Sequence, residues 1–283
     1  MPLRNQRTKG PPLRRSSRQS GSREPPEDPP PRGAVGFTVS PSPVTLGAPL
    51  RARDGYTIYV ERFVVHLSAS TRDRGASRLF AVTGPVDIFA RALPEGNASF
   101  RLELARGAPY DERDAVGISN PELERFMKSA SVVTDGGVSP FAKRPSLIVV
   151  ARAEGNGKTY TIDVTVSPVE FIVTREVVVR RDALTLIPAA LRGEELFAIG
   201  GVSFAPGVRV TPNEAFASFQ RFANADADGD GTLTAFELGA ARPSAEAQEE
   251  AKSYLSGPVA NLGELLVASY DASARVPTSS TST

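Results

Sequence analysis

Between residues 56 and 67 apolar and polar side chains alternate, and partway along the alternation changes phase. Tyr56, Ile58 and Val60 are separated by Thr57 and Tyr59, whereas Phe63, Val65 and Leu67 continue on the opposite parity. A period of two marks a strand with one buried face, because successive side chains point to opposite sides. The phase change predicts a β-bulge near Glu61 and Arg62. The same pattern predicts strands at 79–82, 86–91, 99–104, 147–151, 160–166 and 171–179, punctuated by Gly84-Pro85 and Pro168. In this region only 120–130 reads as a helix, with Asn120 as its cap and Pro121 at the first helical position, where a missing N–H leaves nothing unpaired. Many short strands with few crossover helices predict an antiparallel β-sandwich over residues 34–208.

From Thr211 the period becomes helical. Thr211-Pro212-Asn213-Glu214 has the form of a capping box, and Phe216, Phe219 and Phe222 then fall on one face of a helix that runs to about residue 225. A short helix over 236–242 is stopped by Pro243, and two amphipathic stretches follow at 245–255 and 259–270. The chain is therefore expected to be α+β: an antiparallel sandwich, a small helical module over 209–273 and a flexible Ser/Thr-rich tail over 274–283.

Residues 1–33 have a different composition. Eight basic residues stand against Glu24, Glu27 and Asp28 within residues 1–32, a net charge of +5, which leaves −4 for the rest of a chain whose total is +1. Prolines and a shortage of large apolar side chains predict a disordered, solvated tail that folding and ion binding do not need. No apolar run of signal-peptide length follows the basic start, and no window has the apolar length of a membrane span. The balanced total charge gives no reason to expect nucleic acid as a partner. There is no cysteine and one histidine, His66, which removes disulfides, thiolate nucleophiles and conventional zinc centres.

The chemistry is concentrated in Asp226-Ala227-Asp228-Gly229-Asp230-Gly231-Thr232-Leu233-Thr234-Ala235-Phe236-Glu237. A hard cation such as Ca2+ takes six to eight oxygens. Asp226, Asp228 and Asp230, at positions 1, 3 and 5, can wrap one side of it. Gly231 at position 6 allows the sharp turn that brings in the carbonyl of Thr232, and Glu237 at position 12 closes the shell with two oxygens. Thr234 would act through a water, and Leu233 is the apolar anchor. Registers starting at Asn224 or Asp228 fail, since they put Ala235 or Gly239 at position 12. With helices predicted on both sides, these residues closely resemble the EF-hand family of calcium-binding proteins. The resemblance implies one bound Ca2+ with Asp226, Asp228, Asp230, Thr232 and Glu237 as ligands. EF-hands usually pair through position 8, and no second loop is visible, so Leu233 must pack on the β region, on the later helices or on a second copy. The exit helix is short and contains Gly239, which argues for structural calcium in place of sensor-like opening. A single loop argues against the dockerin type, which carries two. The order of a β-rich body and one such loop is also similar to some bacterial envelope or secreted proteins; the sequence leaves the compartment open.

Other motifs read as structure. Gly155-Asn156-Gly157-Lys158-Thr159 resembles the end of a phosphate-binding loop, but Arg152 stands where that motif needs glycine and a strand follows, so a hairpin turn is expected. His66 is expected on the solvent face of its strand. Tyr110-Asp111-Glu112-Arg113-Asp114 is expected to be a solvated turn, and Asn97-Ala98-Ser99 a chance match to a glycosylation acceptor. The expectation is a non-enzymatic calcium-binding protein. The alternatives are an adhesion or carbohydrate-binding module, with a protein or glycan on the sandwich loops, and a hydrolase with an all-carboxylate site.

Overall fold

The computed structural model describes residues 32–71, 75–105, 107, 112–128, 133–134, 137–138, 145–166, 172–197, 219–245, 248 and 262. Of the tail expected over 1–33, residues 1–31 lie outside the described residues, as do the capping box at Thr211 and most of the last two amphipathic stretches; Arg32 and Gly33, contrary to that expectation, are in a strand and pair with Pro94 and Leu93. The described chain is mostly β-sheet. Its strands are β1 (Arg32–Pro41), β2 (Leu50–Arg51), β3 (Thr57–Ser70), β4 (Gly75–Ala81), β5 (Val86–Pro94), β6 (Gly96–Leu104), β7 (Ala115–Val116), β8 (Val133–Thr134), β9 (Gly137–Val138), β10 (Leu147–Gly155), β11 (Lys158–Val166), β12 (Ile172–Val179), β13 (Leu184–Leu191) and β14 (Thr232–Thr234). The helices are α1 (Asn120–Met127), α2 (Gln220–Ala223) and α3 (Ala235–Ala240). Among the described residues no helix is long and apolar enough to cross a membrane.

One sheet has the order β13-β1-β5. The larger follows β12-β6-β3-β10-β11-β14, with β2 and β4 on β3, and β7 on β4. β3 is the spine of the larger sheet, and its bulge falls where the phase change predicts it. Arg62 pairs with Val150 and Val60 with Ala151, so Glu61 is the extra residue. That single insertion lets Val60 and Phe63, on opposite parities, both enter the main core. Val35 and Phe37 of β1, Ile187 of β13, Val65 of β3, Val149 of β10 and Ile162 of β11 share this core, so it draws on both sheets.

The other face of the large sheet is covered too. Val64, Leu79, Ala81 and Ile148 pack there with Phe126 of α1. Ion pairs of Arg62 with Glu122 and Arg125 with Asp163, both 2.7 Å, fasten α1 to this face.

Three further expectations are corrected. The pairings β1–β13, β4–β7 and β11–β14 are parallel, so the sheets are not wholly antiparallel. A tight hairpin imposes opposite directions on its two strands, and none of these pairs is joined by one. The cap of α1 is Ser119, one residue earlier than expected, because Glu122 then stands at N3 and completes a reciprocal capping box; the helix ends at Met127. His66 is buried, with 3% of its surface exposed, because its face of the sheet is covered and not solvated.

Candidate metal site

The loop 226–237 begins where α2 ends, and the start of α2 is fixed by residues remote in sequence. Asp54 Oδ2 accepts the Gln220 N–H at 2.6 Å, and Tyr56 Oη donates to Gln220 Oε1 at 3.4 Å. Phe219 packs against the rings of Tyr56 and Tyr160 at 5.0 and 5.9 Å, and Phe222 meets Phe197 edge-on at 6.4 Å. Of the three phenylalanines expected on one helix face, Phe219 and Phe222 are buried in the main core, and Phe216 lies outside the described residues.

Within the loop, side chains hold the backbone that follows them. Asp226 Oδ1 accepts from Gly229 N at 3.0 Å and Oδ2 from Gly231 N at 3.2 Å. Asp228 Oδ1 accepts from Asp230 N at 3.2 Å, and Asp230 Oδ1 from Thr232 N at 2.6 Å. Short polar side chains form such local turns readily. Gly229 and Gly231 have φ of 77° and 81°, a left-handed conformation that glycine adopts without steric cost. At Gly231 a Cβ would also stand 3.2 Å from the Thr159 carbonyl oxygen.

The second half joins the large sheet. β14 lies parallel to β11, with Thr232, Leu233 and Thr234 opposite Thr161, Ile162 and Asp163. Leu233 is completely buried and stands opposite Ile162, so among the described residues the position-8 anchor packs on the β region. Gly231 O accepts the Thr161 N–H at 2.8 Å. Successive carbonyls of a strand alternate in direction, so the Thr232 carbonyl faces away from β11, on the side of the loop.

Glu237 closes the site from the first turn of α3. Its Oε2 accepts from Thr234 N and Oγ1, each at 2.9 Å, while Thr234 Oγ1 accepts from Glu237 N at 3.2 Å. Its Oε1 reaches across the loop to accept from Ala227 N at 3.2 Å. The side chain is thereby aimed into the loop, and the residue is 8% exposed. Asp226, Asp228 and Glu237 each bring a carboxylate oxygen within 4.8 Å of the others. Asp230 is not among these three; it is exposed, and one of its oxygens is engaged by Thr232 N. Among the described residues no lysine or arginine pairs with Asp226, Asp228 or Glu237. Oxygen donors alone, three of them anionic, fit a hard cation.

The remaining motifs fall elsewhere. Asn156 and Gly157 have φ of 53° and 73° and form the two-residue turn between β10 and β11, which leaves no phosphate-binding loop there. Of the acidic cluster, Tyr110 and Asp111 lie outside the described residues, and 112–114 form a short 3-10 turn. His66 Nδ1 lies 2.6 Å from the Gly107 carbonyl oxygen, whereas its Nε2 and the Ser146 Oγ are buried without a hydrogen-bond partner. Burial pushes the imidazole below its usual pKa, against the opposing pull of the Gly107 carbonyl and of Asp114. Sequence reasoning missed the residues that hold the loop from outside: Asp54, Tyr56, Thr161 and Ile162. Their partners are remote in sequence, and the apolar character of Leu233 signals only that something covers it.

In comparisons with protein families, curated proteins and solved structures, nothing matches this chain.

Proposed function

We propose that this chain binds one calcium ion in the loop 226–237, in an EF-hand arrangement carried on a β-sandwich, and that the ion serves structure and not catalysis. One observation carries the reading. The Glu237 carboxylate is buried beside those of Asp226 and Asp228, and among the described residues no lysine or arginine pairs with them. Gathered carboxylates at a partly buried site repel one another, and a charge buried in this way calls for a partner ion or a metal. The donors would be Asp226, Asp228, the second oxygen of Asp230, the Thr232 carbonyl and both oxygens of Glu237. That set suits calcium better than magnesium, which demands a tight octahedron and keeps several waters. The sandwich reading is supported by the shared core, which takes side chains from both sheets.

Isothermal titration of the metal-stripped chain tests the proposal. The expected stoichiometry is one calcium per chain, with Glu237→Gln weakening affinity by about 100-fold or more through loss of the charged bidentate closure. A stoichiometry of zero or two, or an unaffected Gln variant, overturns it.

A further inference from the structure

β11 would be the outer edge of the large sheet were it not covered by β14, and the cover is only three residues long. Those residues belong to the loop. Gly231 and Thr232 are its positions 6 and 7. The Gly231 carbonyl accepts from Thr161 N on the sheet side, while the Gly231 N–H donates to Asp226 and the Thr232 N–H to Asp230 on the loop side. The same peptide units therefore serve both the carboxylate turn and the sheet. Leu233 is fixed between the two, buried beside Ile162 in the core that also holds Phe219, Phe222 and Leu238. A three-residue parallel pairing is a weak ladder, and the carboxylates of the loop push it apart when no ion is present.

We infer that calcium seals the β11 edge of the large sheet, ion binding and the β11–β14 pairing being one equilibrium. This rests on the calcium reading above. Loss of the ion releases β14 and opens the outward backbone groups of Thr161 and Asp163, a bare strand edge of the kind that pairs with other chains.

Hydrogen exchange on the full chain, with calcium present and after its removal, tests the inference alongside calorimetry. Removal should speed exchange at the Thr161 amide by about tenfold or more, while amides of the β3–β10 pairing, such as that of Ile148 opposite Val64, keep their protection. Coupling is reciprocal, so a change on the sheet side alone must weaken calcium binding. Thr161→Pro deletes the donor to Gly231 O at an edge position where proline is tolerated, and should lower calcium affinity by about fivefold or more. If calorimetry shows calcium bound while Thr161 exchange or the affinity of the Pro variant is unchanged, the inference fails and the calcium reading stands. An equal loss of protection across β3 and β10 also overturns it, because calcium would then hold the whole fold and not this edge. Absence of calcium binding removes both.

Discussion

Two helices of this protein begin in the same way and end up with opposite electrostatics. At α1, Ser119 and Glu122 form a reciprocal capping box, and at α3, Thr234 and Glu237 repeat it with nearly the same distances. In both, the glutamate accepts the N–H and the hydroxyl of the cap residue. Glu122 then meets Arg62, whose Nε and Nη2 donate to its two oxygens at 2.7 and 2.8 Å, and these bonds hold its carboxyl down to about 2. Glu237 meets two more carboxylates. The box is thus a local device for starting a helix, and what it does beyond that is set by what the sheet brings to its free oxygens. One glutamate has its cation built in; the other stands beside two carboxylates, where we propose a cation from solution.

The largest expected effect separates the pair outright. Glu237→Gln should lose calcium by about 100-fold or more, whereas Glu122→Gln should leave the calcium isotherm unchanged. Equal losses would mean that α1 and the loop communicate, and the contrast would collapse. Calcium at roughly one hundred times its dissociation constant should then stabilise the wild type by about 2.7 kcal/mol, read as a calcium-dependent rise in Tm that Glu237→Gln lacks at the same concentration and Glu122→Gln keeps. The built-in cation should be worth less, since Arg62 is about one-third exposed. Arg62→Met should cost on the order of 1 kcal/mol in chemical denaturation at neutral pH. The contribution of Glu122 is present above about pH 4.5 and is lost as pH falls towards about 2, because its folded carboxyl titrates lower than the unfolded one.

The smallest effect concerns His66 on the same face as α1. Its pKa is lowered in the fold, so the unfolded chain takes up a proton first. Stability should be complete above pH 6.5 and decline as pH falls below it, a window clear of Glu122. Thermal unfolding between pH 7.5 and 5.5 should show this decline in the wild type. His66→Asn, which can still donate to the Gly107 carbonyl without titrating, should not show it; an identical slope in both would remove His66 as the cause.

What the sequence made legible follows the range of each interaction. The turn of the loop was legible because its aspartates, its glycines and Glu237 lie within one short stretch and each meets a local backbone demand. The bulge at Glu61 was legible for the same reason, as a break in alternation. Strand direction was not: Leu184-Thr185-Leu186-Ile187 carries no mark of its parallel partner β1, and Leu233 carries none of Ile162. The burial of His66 was misread because alternation identifies one buried face and assumes the other is wet. Here α1 covers that second face, and the capping box that starts it, although visible as Ser119-Asn120-Pro121-Glu122, says nothing about where the helix docks. Asp230 illustrates the remaining gap, since spacing places it with the other loop carboxylates while the structure gathers only Asp226, Asp228 and Glu237.

The place of β1 in the small sheet sets a timetable for folding. β1 lies between β5 and β13, with Val35, Phe37 and Val39 facing the core. During synthesis it leaves the ribosome first, and β5 can pair with it early, but its other flank has no partner until residues 184–191 emerge. Contacts so distant in sequence slow folding, because a large loop must close before they give anything back. The hairpin of β10 and β11 needs no such wait. A nascent chain stopped short of Leu184 therefore carries an apolar strand with one bare edge, and such truncated chains are expected to aggregate or to require a chaperone, while the full-length chain does not.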